Sequence, residues 1–266
     1  MDLAYTLEMS ALTDIGLVRE HNEDAVFADA GLGLAILADG MGGYNAGEVA
    51  AEMLVSRLAE NLDELQRLSL PNGSPPDRLG VVRELEVRIA LVNEEIYQLA
   101  HSDVRYTGMG TTLVMGVFVH DFLITAHVGD SRCYRLRQGD LTLLTRDHSL
   151  LQTQIDCGLI TPEEARFSSI RNLVTRAVGV ESMVESEFNG YDVACNDIYL
   201  FCSDGLHDTL MDSEIAHILE AQAGDLHTAA VTLIAEANAR GGQDNISVIL
   251  VRTGDRSDIK NNHPAS

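Results

Sequence analysis

The chain has 266 residues, and its 41 Asp and Glu outweigh 18 Lys and Arg to give a formal net charge of -23. Nucleic acids and anionic bilayers both recruit proteins through a basic face, so this balance argues against either as a partner. A hydrophobic fraction of 45% with 22% charged residues is an ordinary globular composition, and the length allows a sizeable core.

In chain order, the apolar run Leu32–Ala38 (LGLAILA) has the length of a buried strand and ends at Asp39-Gly40. Gly47–Leu68 carries Val49, Met53, Leu54, Leu58, Leu62 and Leu65 at helical spacing, and Pro71–Pro76 reads as a loop. A second amphipathic helix spans Asp77–His101, striped by Leu85, Ile89, Val92, Ile96 and Leu99. Strand runs follow at Thr111–Val119, Phe122–Val128, Cys133–Arg137 and Leu141–Leu144. Their breaks, at Asp121 and at Gln138-Gly139-Asp140, are short enough for hairpins, so antiparallel neighbours are expected.

From Ser149 to about Val180 the pattern is helical but irregular, with a helix start at Thr161-Pro162-Glu163-Glu164. Ile198–Cys202 is a further buried strand, helices begin near Asp212 and Leu226, and Ile246–Val251 is the last strand. The residues after Thr253 read as a polar, frayed tail. This order does not alternate as βαβ units do. An α+β architecture fits, with antiparallel sheets covered by helices.

Cys133, Cys157, Cys195 and Cys202 have no CxxC spacing, so a zinc ribbon is not expected, and Cys202 in its apolar run reads as a reduced, buried thiol. Met1-Asp2-Leu3-Ala4 lacks the basic start of a signal peptide, and no run has the length of a membrane span. A cytoplasmic location is expected.

Aspartates sit at the ends of the apolar runs. Asp39-Gly40 follows LGLAILA, Gly129-Asp130 follows FLITAHV, Asp204-Gly205 follows IYLFCS, and Asp244-Asn245 precedes ISVILV. Singly, each is an ordinary turn. Brought together by neighbouring strands, they would repel one another unless a cation neutralised them. Oxygen donors without spaced His or Cys suit hard cations such as Mg²⁺ or Mn²⁺, and two such ions suit phosphoester hydrolysis. Arg19, in Arg19-Glu20-His21-Asn22-Glu23-Asp24, is the candidate for holding a phosphate.

Seven motifs then occur in a fixed order: Arg19–Asp24, Ala38-Asp39-Gly40-Met41-Gly42-Gly43, Gly110-Thr111-Thr112, Val128-Gly129-Asp130-Ser131-Arg132, Asp147-His148-Ser149, Cys202–Leu206 and Gly241-Gly242-Gln243-Asp244-Asn245. In this the chain resembles the metal-dependent protein phosphatases, the type 2C serine/threonine phosphatases in their compact bacterial form, over about Leu12–Val251. The resemblance implies a four-layer α-β-β-α sandwich, two antiparallel sheets flanked by helix pairs, in one catalytic domain over 1–252. A flap would cover about 150–180, and 253–266 would be a polar tail.

It also implies hydrolysis of phosphoserine and phosphothreonine in proteins by a metal-bridging water, reversing a serine/threonine kinase. Asp39 would bridge two Mn²⁺ or Mg²⁺ ions, with the Gly40 carbonyl, Asp204 and Asp244 at the first. Glu23 and Asp24 would stand at the second. Asp130 with Asp204 would hold the third, weaker ion of bacterial relatives. Arg19 would take the phosphate, and Glu23 and Asn245 would support the ligands. Phosphoproteins and a cognate kinase are the implied partners of a monomer.

One position departs from the pattern. Relatives often carry a histidine, discussed as a proton donor, where this chain has Tyr44. The general acid is therefore unassigned. His148 reads as structural, hydrogen-bonding near the flap, and His21 as a supporting or surface residue. Two other functions stay open at this point: a phosphoprotein-binding module that has lost turnover, and a hydrolase of small phosphate esters. Retention of Asp24, Asp39, Asp130, Asp204 and Asp244 argues against the first, and an aromatic content of 5% argues mildly against the second.

Overall fold

The computed structural model describes residues 3, 5–43, 45–60, 77–165, 168 and 173–255. The strands are β1 (Tyr5–Asp14), β2 (Asp24–Asp29), β3 (Leu34–Met41), β4 (Gly110–Thr111), β5 (Leu113–Val119), β6 (Phe122–Val128), β7 (Arg132–Arg137), β8 (Asp140–Leu143), β9 (Glu187–Asp192), β10 (Ile198–Cys202) and β11 (Ile246–Asp255). The helices are α1 (Ala46–Glu60), α2 (Arg78–Ser102), α3 (Leu150–Asp156), α4 (Pro162–Ala165), α5 (Asp204–His207), α6 (Asp212–Ala221) and α7 (Leu226–Ala239).

One antiparallel sheet has the order β1-β11-β10-β7-β8, and the other β2-β3-β5-β6-β9 with β4 on β3. Strand alternation sorts their side chains into three apolar layers. Leu34, Ile36 and Ala38 of β3, with Leu113, Met115 and Val117 of β5, pack under α1 and α2. Ala35, Leu37, Val114 and Phe118 point the other way and meet Tyr199, Phe201, Ile249 and Val251 between the sheets. Leu200, Cys202, Val248 and Leu250 turn outward beneath α6 and α7. The result is the four-layer α-β-β-α sandwich. Because both faces of each central strand are covered, those strands are continuously apolar in sequence.

Local chemistry sets the elements. Asp77 caps α2 by accepting the Leu79 N–H at 3.2 Å, and Asp225 caps α7 by accepting that of Thr228 at 3.1 Å. At α4 the Thr161 hydroxyl accepts the Glu164 N–H at 3.2 Å while the Glu164 carboxylate accepts the Thr161 N–H at 2.8 Å. Gln138 and Gly139 join β7 to β8 with φ of 53° and 85°, as a tight hairpin between right-twisted strands requires.

Several expectations shift. The run expected as one strand from Thr111 is interrupted at Thr112, whose hydroxyl accepts the Asp39 N–H at 3.0 Å instead of leaving the ladder regular. The strand from Leu34 runs through Asp39 and Gly40 to Met41, because Gly40 and Met41 pair with β4. Asp39-Gly40 is therefore strand, not turn. Thr253, Gly254 and Asp255, read as the start of the tail, belong to β11, where they pair with Leu7, Thr6 and Tyr5. The expected loop Pro71–Pro76 and residues 61–68 of the first helix lie outside the described residues, as do Tyr44 and 256–266. Among the described residues, no helix is long and apolar enough to cross a membrane.

Candidate active site

Asp39 and Asp24 are cross-strand partners at one end of the β2–β3 pair, which sets their carboxylates side by side. The Asp39 backbone is held on both sides: its carbonyl accepts the Thr112 N–H at 2.8 Å and the Thr111 hydroxyl at 3.0 Å. Gly40 donates its N–H to the Glu23 carbonyl at 3.0 Å. A Cβ at Gly40 would stand 2.1 Å from the Gly47 carbonyl oxygen, so only glycine lets the start of α1 pack this close.

The opposite sheet and the turn that crosses to it contribute the rest. Asp204 leads out of β10 through Ser203, Asp244 leads into β11, and Asp130 lies in the turn between β6 and β7. Gly205 lets two of these turns touch, since a Cβ there would be 2.1 Å from the Asn245 carbonyl oxygen. Ser203 links the sheets: its hydroxyl donates to Asp24 Oδ2 and accepts the Ser247 N–H, both at 2.9 Å. The His207 Nε2–H donates to the Asp130 carbonyl at 3.1 Å.

Arg19 stands at the rim, with its side chain 48% exposed, and donates from Nη2 to Asp244 Oδ2 at 2.7 Å. Asn245 fastens the segment that carries it. Its Oδ1 accepts the Glu23 N–H at 2.8 Å, and its Nδ2 donates to the carbonyls of Ile15 and His21 at 2.9 and 3.0 Å. His21 itself is exposed. Asn245→Ala removes these bonds together, so a loss of about 2–3 kcal/mol in urea unfolding is expected. Phosphate release should fall about tenfold as the Arg19–Asp24 segment loses its position. Unchanged stability and rate would contradict this account of Asn245.

Burial and mutual repulsion raise the carboxyl pKa values of Asp24, Asp39, Asp130 and Asp204. Asp24 is pushed up to about 6 chiefly by burial, against the opposing hydrogen bonds of Ser247 and Ser203. Asp130 is likewise raised to about 6, by burial first, with Asp147 and Asp208 adding repulsion. Asp39 and Asp204 lie well above the usual carboxylate range, from burial and from the surrounding aspartates. Burial also raises Glu23, against the opposing charge of Arg19.

Asp24 Oδ1 and Glu23 Oε1 are buried without a hydrogen-bond partner. Buried, mutually repelling oxygen donors with unpartnered lone pairs fit one or more hard divalent cations. The structure brings Arg19, Glu23, Asp24, Asp39, Gly40, Asp130, Asp204, Asp244 and Asn245 to one end of the sandwich.

The sequence reading carried Thr112 and Ser203 only as members of motifs, without a role, and did not name Ser247 or His207. No local pattern gives their roles, because their partners lie far along the chain. His127, His148 and Glu187 form a separate cluster whose ligand atoms lie within 4.8 Å of one another. His148 Nδ1 accepts the Gly129 N–H at 3.2 Å, which leaves Nε2 protonated and facing Glu187 Oε2 at 3.5 Å. A protonated nitrogen offers no lone pair to a cation, so this cluster braces the Gly129–Asp130 turn.

The family model described as protein phosphatase 2C matches residues 18–233. The chain belongs to the protein phosphatase 2C family. It is 38% identical over 244 residues to the serine/threonine protein phosphatase PstP of Mycobacterium tuberculosis, matching 92% of this chain and 44% of that protein. It therefore spans less than half the length of that relative. Against the serine/threonine phosphatase stp of Listeria monocytogenes the identity is 38% over 242 residues, covering 90% of this chain and 93% of the relative. The crystal structure of the PstP catalytic domain in complex with two manganese ions superposes with a TM-score of 0.81 at 37% identity, covering 94% of this chain and 99% of that one. The phosphatase 2C sandwich is thus the frame in which the aspartates converge.

Proposed function

We propose that this chain hydrolyses phosphoserine and phosphothreonine side chains of proteins, using Mn²⁺ or Mg²⁺. The observation that carries the reading is the convergence of Asp24, Asp39, Asp130, Asp204 and Asp244 from both sheets, with Arg19 at the mouth. In this reading Asp39, the Gly40 carbonyl, Asp204 and Asp244 hold one ion. Asp39, Glu23 and Asp24 hold or surround a second, and Asp130 with Asp204 takes a third, weaker one. The two manganese ions of the PstP catalytic domain support the metal assignment. When bound, such ions supply an activated water and offset the charge of the phosphate.

The remaining work falls to the chain itself. Arg19 binds phosphate oxygens from the rim, and its ion pair with Asp244 aims the guanidinium across the cluster. Asn245 and Ser203 fix the two segments whose carboxylates must stay within reach of one another. The catalytic domain runs through Asp255, with the flap at about 150–180 beside the site. A serine/threonine kinase that makes the phosphoprotein is the expected counterpart, and the protein acts as a cytoplasmic monomer.

A comparison of substrate classes tests the reading. With Mn²⁺ present, a phosphothreonine peptide is expected to be turned over at least about tenfold faster than a nucleoside monophosphate at equal concentration. Faster release from the nucleotide would favour a small-ester hydrolase instead.

A further inference from the structure

We propose that the cavity between the end of β3 and residues 174–185 is a subsite for an apolar side chain, such as leucine or methionine, flanking the phosphorylated residue of a protein substrate. This rests on the phosphatase reading of the site. The cavity, about 380 Å³, begins at Met41. Met41 stands two residues beyond Asp39 in β3, on the face that Ala35 and Leu37 turn toward the space between the sheets. That separation is roughly 7 Å along the strand, which an extended peptide covers in about two residues. A side chain lodged there therefore belongs to the same peptide whose phosphate reaches the centre.

The wall is largely apolar and its backbone is fixed. Val180 and Met183 line the cavity with Met41, Val174 and Val184, yet Val180 is 49% and Met183 83% exposed. The chain beneath them is held at several points. Val178 exchanges both backbone hydrogen bonds with Thr111, at 3.0 and 2.8 Å. Asn93 of α2, only 1% exposed, then clamps the turn: its Oδ1 accepts the Gly179 N–H at 2.8 Å and its Nδ2 donates to the Glu181 carbonyl at 3.0 Å. Gly179 has a φ of 87°, and a Cβ there would stand 2.1 Å from Ile96 Cγ2, so the turn lies directly on α2.

Apolar side chains held in water this way add little to the stability of the core. A surface already ordered before binding does favour a ligand, because the cost of ordering it is not met at the moment of association. The charged residues of the wall do not select a basic occupant strongly. Arg176 and Glu185 pair with each other at 3.2 Å, and Glu181 adds a negative charge that repels an acidic side chain. The unbranched side chains of Met41 and Met183 adapt to several apolar shapes, so leucine and methionine are both accommodated.

The test uses the Mn²⁺-loaded full chain and phosphothreonine peptides in which each flanking position is in turn Leu, Ala, Lys or Glu. The wild type is expected to show a kcat/KM at least about fivefold higher for Leu than for Ala at one flanking position, with Glu lowest there. The preference should persist as salt is raised, because it is not Coulombic. In Val180→Ser/Met183→Ser it should fall to less than about twofold, while p-nitrophenyl phosphate, which has no flanking residue, is turned over at the wild-type rate. Met183→Ser alone, at a mostly exposed side chain, should lower the preference in part. Equal rates for Leu and Ala at every position would overturn the subsite. So would a rate highest for Lys, or a Leu preference that survives in the double variant or vanishes with salt. Failure of the phosphatase reading would look different: no phosphate release from any peptide or from p-nitrophenyl phosphate.

Discussion

Asp39→Asn is expected to lower phosphate release by about a hundredfold or more, while the metal-free variant melts higher than the parent at neutral pH. Both effects have one cause. Asp39 is half-buried and desolvated beside Asp24, Asp204, Asp130 and Asp244, and each of them raises its pKa by repulsion. Removing one of these charges removes repulsion that the metal-free fold must otherwise carry. A gain of about 1 kcal/mol would move the melting temperature by about 2–4 °C in a chain of this size. In the proposed reading the same charge would help to hold the metal ions, so its loss would remove activity while relieving the repulsion that destabilises the metal-free fold. Asp204→Asn should behave alike, because burial and the charges of Asp130, Asp244, Asp208 and Asp24 raise its pKa in the same way. Thermal melts with and without Mn²⁺, paired with phosphate release, check this. A near-normal rate in either variant with metal bound would contradict the assignment.

The second large effect is a pH dependence of metal stabilisation. Asp24 and Asp130 have folded pKa values of about 6, and Asp39 and Asp204 are raised further, all above the ordinary range for an unfolded aspartate. For groups raised in the fold, the stabilising contribution is fully present below the unfolded pKa. It is lost as pH rises through the folded values, from about pH 4 to beyond 6. The metal-free protein should thus lose stability from these groups over that window. Cations bind the deprotonated carboxylates and must displace protons at low pH. The rise in melting temperature caused by Mn²⁺ should therefore be at least about twice as large at pH 7.5 as at pH 5. Equal shifts at the two pH values would show that the carboxylates are not protonated in the metal-free cluster.

What could be read from the sequence follows burial. Leu113–Val119, Phe122–Val128 and Ile198–Cys202 are buried at every position, so their uninterrupted apolar runs announce them. β1, β2 and β9 escaped notice because they lie at sheet edges, where most of their residues are only half-buried. β9, Glu-Phe-Asn-Gly-Tyr-Asp, draws its strand geometry from pairing with β6 instead of from its own composition. At the site, Asp39, Asp130, Asp204 and Asp244 were visible as acidic residues bordering apolar runs. Asp24 had no such border and rested on the family resemblance. The hydroxyls of Ser203 and Thr112 and the ring of His207 act on partners 179, 73 and 77 residues away, a relation that only the folded chain contains.

The most direct test of the central claim is phosphate release from a phosphothreonine peptide, with Mn²⁺ titrated in, EDTA as control and Asp39→Asn alongside. Release that rises with Mn²⁺, stops with EDTA and is lost in the variant is the predicted result. No release at any Mn²⁺ concentration, from protein shown by circular dichroism to be folded, would contradict it and favour a phosphoprotein-binding role for the same cleft.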